Sequence, residues 1–137
     1  MKNLVTIFFF LAFAGNVYAQ DIRTAHLKWT VAGMHDVDNN TFVPSYTCTF
    51  ETNGTGATYW KQKNGSYSTK YTVQNITGTW ADVATDGIAT FNVIADGESG
   101  TLKFEKNSNG TRITLDLSQP DGSRNVYTFT VTQTTLL

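Results

Sequence analysis

The chain has 137 residues, a formal net charge of -1, one cysteine (Cys48) and two histidines (His26 and His35). One cysteine cannot build a disulfide framework within the chain, a near-neutral balance leaves no basic footprint for nucleic acid, and a single thiol beside two imidazoles is poor material for a zinc site. The length suits one domain; no catalytic motif and no cofactor motif stands out, so the chain reads as a non-enzyme whose compartment and architecture are more legible than its activity.

The first nineteen residues read as an address. Met1-Lys2-Asn3 carries one positive side chain, Leu4 to Phe13 is apolar except for Thr6, and Val17-Tyr18-Ala19 closes with residues that suit a signal peptidase. This is the layout of a cleaved secretory signal peptide, residues 1–19, of bacterial type. Its apolar run is about ten residues, short of the roughly 20 that a membrane-spanning helix needs. No cysteine follows the cut directly, so no lipid anchor is expected. The predicted protein is secreted or periplasmic, with no membrane span in the mature chain. Removing Lys2 leaves a single mature domain, residues 20–137, with nine bases against 11 acids.

From there the chain alternates. Leu27, Trp29 and Val31 share one face of the first run, and Tyr46, Cys48 and Phe50 share one face of the second. Tyr67, Tyr71 and Val73 do the same before Asn75, then Ile113, Leu115 and Leu117, then Tyr127, Phe129 and Val131. A period of two marks half-buried strands. The 22 threonines of the mature chain favour the same pleated surface. Nine runs are predicted, at residues 26–32, 42–52, 55–62, 66–74, 76–83, 88–95, 100–106, 111–118 and 124–133. Cys48, on the apolar face of its run, is expected to be a buried small hydrophobe.

Six Asn-Gly or Asp-Gly pairs punctuate these runs: Asn53-Gly54, Asn64-Gly65, Asp86-Gly87, Asp96-Gly97, Asn109-Gly110 and Asp121-Gly122. Both residues of such a pair tolerate positive φ, which makes them preferred tips of tight hairpins. Asn75 lies near the middle of the longest gap. Successive hairpins make an antiparallel up-and-down meander. A meander of about eight to nine strands removes its edges by closing into a barrel, and eight strands enclose just enough space for side chains or one small ligand. With nine runs, either two merge or one lies outside the ring. A β-sandwich is the alternative. A membrane barrel is disfavoured, because the runs are short and their Thr/Ser/Lys faces do not suit lipid.

Phe50-Glu51-Thr52-Asn53-Gly54-Thr55-Gly56, followed by Thr77-Gly78-Thr79-Trp80, resembles bacterial lipocalin-like domains of the calycin group. His26-Leu27-Lys28-Trp29 resembles the opening Gly-x-Trp strand of that group, with Leu27 where glycine would stand. The resemblance implies an up-and-down barrel with a cavity and a binding role more than a catalytic one. It also implies that Trp29 packs at the closed end of the barrel, with Arg112 or Arg124 as the cation laid over its ring.

The chemistry-bearing residues are few. Asp36-Val37-Asp38-Asn39-Asn40 begins like a calcium loop but lacks the glycine and the terminal glutamate such a loop needs, and it reads as a polar turn. Asp86, Asp96, Glu98 and Asp121 lie in turn segments, where turn chemistry accounts for them. What the chain does offer is aromatic surface. Trp29, Tyr46, Phe50 and Tyr67 are candidate pocket-lining residues, together with Tyr71, Trp80, Phe91, Phe104 and Phe129. Rings supply apolar walls, and Tyr hydroxyls supply fixed polar handles. Of Tyr59 and Trp60, which are adjacent, one must face out of its strand. The predicted function is an exported binding protein holding a small hydrophobic ligand. The alternative is a protein–protein interaction module with a filled core.

Overall fold

The alternating runs become eight strands: β1 His26–Asp36, β2 Thr41–Asn53, β3 Thr58–Gln62, β4 Tyr67–Thr77, β5 Gly87–Ala95, β6 Glu98–Asn107, β7 Gly110–Ser118 and β8 Arg124–Leu136. The structure is a computed structural model that describes residues 19–137, so all but the last residue of the expected signal peptide lies outside the described residues. Each strand pairs antiparallel with the next, and β8 returns to β1, which closes the barrel and excludes the sandwich. Closure gives every strand a neighbour on both sides, which removes the open first and last edges that invite aggregation. Among the described residues, no helix is long and apolar enough to cross a membrane.

The Asp96-Gly97 hairpin shows why the tips were legible. Both residues have positive φ, 49° and 78°, and they join β5 to β6 as the only intervening residues, as a twisted ribbon requires. Two of the expected features are placed differently. Asp86-Gly87 is not a tip, because Gly87 begins β5. A Cβ there would sit inside the Trp80 indole, so this glycine permits a close approach rather than a reversal. Asn75 is mid-strand, beside a register shift between Val73 and Asn75.

The fifth predicted run, residues 76–83, is also not a strand of its own. Ile76 and Thr77 finish β4, Gly78 turns the chain out at φ 84°, and the rest forms the β4–β5 loop. Thr79-Trp80 looks extended by propensity, yet its role is tertiary, since the loop folds Trp80 into the barrel end. There the segment before β1 is laid across the opening. Ile22 N donates to Trp80 O at 3.2 Å, and Val83 N donates to Gln20 O at 3.0 Å. Arg23 reaches the same loop, donating to Gly78 O and Ile76 O at 3.4 Å each.

This end is sealed. Trp29 packs on Trp80 at 5.8 Å and on Phe104 at 4.9 Å, and Phe104 meets Phe91 at 5.2 Å. The Trp29 indole N–H donates to Thr52 Oγ1 at 3.0 Å, and that of Trp80 to Thr85 O at 2.9 Å. The expected arginine over Trp29 is absent. Arg124 is paired with Asp116, and Arg112 is exposed opposite Glu105. The rings packed against Trp29 are the neutral Trp80 and Phe104. The opposite end carries the β1–β2, β3–β4, β5–β6 and β7–β8 turns and forms the mouth.

Candidate functional site

Cross-strand register fixes which side chains point inward. Trp29 lies opposite Phe50, Phe50 opposite Trp60, and Trp60 opposite Thr69, all on the inner face. Trp60 is therefore the inward member of the Tyr59-Trp60 pair. The sequence alone does not choose between two adjacent aromatics; only the pairing with Phe50 does.

The candidate lining residues separate into two groups. Trp29, Phe50, Phe91, Phe104 and Phe129 have no exposure, and Tyr71 and Trp80 retain 2%. A side chain with no water-reachable surface borders no void large enough to hold water, so along this column the interior is packed ring against ring. Tyr46 is half-buried at the mouth. Tyr67 stands on the rim, 62% exposed, with the Lys63 ammonium 4.9 Å above its ring. It keeps inward register opposite Gln62, but β3 ends there and nothing covers it.

The apolar column loosens at the mouth. Met34, Tyr46, Trp60, Ala95 and Tyr127 pack on the core yet remain partly exposed. Trp60 stacks on Phe50 at 5.8 Å with planes 5° apart, and meets Phe129 edge-on at 5.5 Å. Phe129 also contacts Tyr46 at 6.1 Å and Tyr127 at 6.5 Å. The Tyr46 hydroxyl donates to Gln62 Oε1 at 2.9 Å. Among the described residues, two buried polar atoms have no partner at full hydrogen-bond geometry, the Trp60 indole N–H, which acts only weakly on the Tyr46 hydroxyl and the Cys48 thiol, and the Thr58 hydroxyl, both on β3.

Burial governs the titratable groups here. It raises the Cys48 thiol to about 11, with Trp60 and Tyr46 pulling partly the other way. It raises the Tyr46 phenol, reinforced by Cys48, and the Tyr71 phenol, reinforced by Glu98 and Asp96. Tyr127 is raised by burial and then by Asp36 and Asp38. At ordinary pH these groups are neutral: hydrogen-bonding handles rather than activated nucleophiles.

The calcium-like run forms a turn. The Asp36 carboxylate accepts from Asn39 N at 3.2 Å and Asn39 Nδ2 at 2.8 Å, and Asp38 accepts from Val126 N at 2.7 Å. Among the described residues, no three His, Cys, Asp or Glu side chains gather as a metal site would require. A concavity of about 560 Å³ lies on the outer wall among Lys28, Thr30, Thr49, Glu51, Lys61 and Thr132. Its Glu51 and Lys61 neutralise each other at 2.7 Å.

No protein-family model matches the chain, and no curated protein or solved structure matches it. Function is therefore argued from the geometry of the mouth.

Proposed function

We propose that this is an exported, lipocalin-like binding protein that takes a small, flat, largely apolar ligand end-on at the mouth of the barrel, against Trp60, Tyr46 and Phe129. One observation carries the reading. Trp60 is stacked and partly exposed, and its indole N–H is buried with no acceptor at full hydrogen-bond geometry, only a weak interaction with the Tyr46 hydroxyl and the Cys48 thiol. An unpaired buried donor costs about 1–3 kcal/mol, and a ligand that brings an oxygen to it recovers that cost while covering the exposed rings. The opening strand His26-Leu27-Lys28-Trp29, the closed eight-strand ring and the segment folded across one end support membership of the calycin group. The leader-like first nineteen residues support export. The neutral phenols and thiol of the mouth support binding over catalysis.

N-phenyl-1-naphthylamine, a neutral fluorophore, tests the site. Saturable uptake with quenching of tryptophan emission is expected. Trp60→Ala weakens it about tenfold or more, the equivalent of one lost stacking contact, and Tyr59→Ala on the outer face leaves it unchanged. Equal uptake by the Trp60→Ala protein sinks the reading. The second reading is a protein-interaction module. It is favoured by the filled column and by Phe42 and Val37, 62% and 42% exposed at the β1–β2 end. Failure of the folded protein to take up any fluorophore decides for it.

A further inference from the structure

The charge of the rim names a ligand class within that binding reading, on which this inference rests. Glu98 is the first residue of β6 and keeps inward register with Gly100 and Leu102, half-buried. It lies opposite Ala95, and the β4–β5 register, Thr72 with Ile94 and Val73 with Val93, places Ala95 beside Tyr71. Tyr71, Ala95 and Glu98 thus form a row across three strands, with the smallest side chain in the middle. Ala95 is partly exposed toward the mouth.

Two independent features mark this row as unfinished. Tyr71 is 98% buried as a residue, and its hydroxyl makes no hydrogen bond to a described residue; the influences on it are burial and the fields of Glu98 and Asp96. The Thr58 hydroxyl, directly opposite Tyr71, is fully buried and unpartnered. The rim carboxylates also differ. Asp36 is occupied by its turn neighbour Asn39 and Asp38 by the Val126 N–H of β8, whereas neither Glu98 nor Asp96 accepts a hydrogen bond or an ion pair from a described residue. The ion pairs among the described residues join Lys61 to Glu51, Lys103 to Glu105 and Arg124 to Asp116. Of the rim cations, Arg124 is held by Asp116 and Lys63 lies over Tyr67. Lys63 also shows a rim ring accepting an ammonium on its face.

We infer that the mouth selects a cationic amphiphile, a primary or quaternary amine joined to a flat apolar body, with the body on Trp60 and the ammonium over Ala95, the small residue between Tyr71 and Glu98. A half-buried carboxylate without a partner and a phenol oxygen with a free lone pair suit a cation and repel an anion. The Asp96 carboxylate adds to the same field from the hairpin tip.

Three probes with one body separate this inference from the reading beneath it: 2-naphthylmethylammonium, neutral 2-methylnaphthalene and 2-naphthylacetate, each titrated by tryptophan quenching. The ammonium probe is expected to bind about tenfold tighter than the neutral one, and the acetate more weakly than either. The preference shrinks at about 0.5 M salt, where the screening length falls to a few ångströms. Glu98→Gln, and separately Asp96→Asn should the first variant melt early, brings the ammonium probe down toward the neutral one without changing the neutral one. Equal binding of all three probes by the wild-type protein, or a preference untouched in Glu98→Gln, overturns the cation class while leaving the mouth as a site. No binding by any probe overturns the mouth itself.

Discussion

At the closed end, Trp29 meets Trp80 at 5.8 Å, and each indole N–H has its acceptor, Thr52 Oγ1 for one and Thr85 O for the other. At the mouth, Trp60 stacks on Phe50 at the same 5.8 Å, but its N–H has none at full hydrogen-bond geometry. The ring separations are alike at both ends, with planes tilted by 42° at one and stacked within 5° at the other; satisfaction of the polar atom differs. The closed end is a floor in which every tryptophan donor is spent. The mouth keeps one in reserve, on the shortest strand, which also carries the unpartnered Thr58 hydroxyl. A buried aromatic cluster is therefore a poor guide to a ligand site, and an unpaired donor within one is a better guide.

The largest test of this contrast is stability. Phe104→Ala removes a fully buried ring that touches Trp29 and Phe91, and is expected to cost about 3–5 kcal/mol in urea denaturation. Trp60→Ala at the half-exposed mouth is expected to cost less than half as much, because part of its surface is already in water. Equal losses from the two variants would erase the distinction between floor and mouth.

The next test addresses the polar atoms directly. Thr52→Val keeps the shape but strands the Trp29 N–H, with an expected loss of about 1–3 kcal/mol. Trp60→Phe removes a donor that had no partner, and the change is expected to stay within about 1 kcal/mol. A costly Trp60→Phe paired with a harmless Thr52→Val would reverse the assignment of the two ends.

The smallest expected effect is the pH dependence. The Tyr46 and Tyr71 phenols are raised above their ordinary value by burial. The folded protein thus keeps protons that the unfolded chain releases near pH 10, so their stabilisation is complete below that pH and drains away as pH rises further. Asp36, Asp116 and Asp121 are lowered by hydrogen bonds from Asn39, Arg124 and Ser123, so their contribution is present at neutral pH and fades as pH falls through the acid range near and below about 4. Chemical denaturation along both limbs checks the signs, and Tyr46→Phe flattens the alkaline one.

Much of the fold was legible in the residues. Asp96-Gly97 reads as a hairpin tip because few other residues accept two successive positive φ values. Leu27, Trp29 and Val31 read as an inner face because a strand alternates. The site was less legible. Glu98 stands one residue past a turn and looks like turn chemistry, whereas the register of β6 with β5 turns it inward beside Ala95. Trp60 is indistinguishable from Tyr59 until Phe50 is set opposite it. Trp80 carries strand propensity, but it serves as the floor because the segment before β1 pairs with its loop. Arg23, not Arg112 or Arg124, is the arginine that grips that loop, through carbonyls 53 and 55 residues away in the chain.

Local chemistry, then, determined the strands, the tips and the inner faces, since backbone dihedrals and a period of two are properties of neighbouring residues. Which rings fill the barrel and which one waits at its mouth, and which carboxylate looks inward, was decided only when β8 met β1. Closure sets the register of every strand around the ring at once, and a single-residue shift exchanges inside for outside.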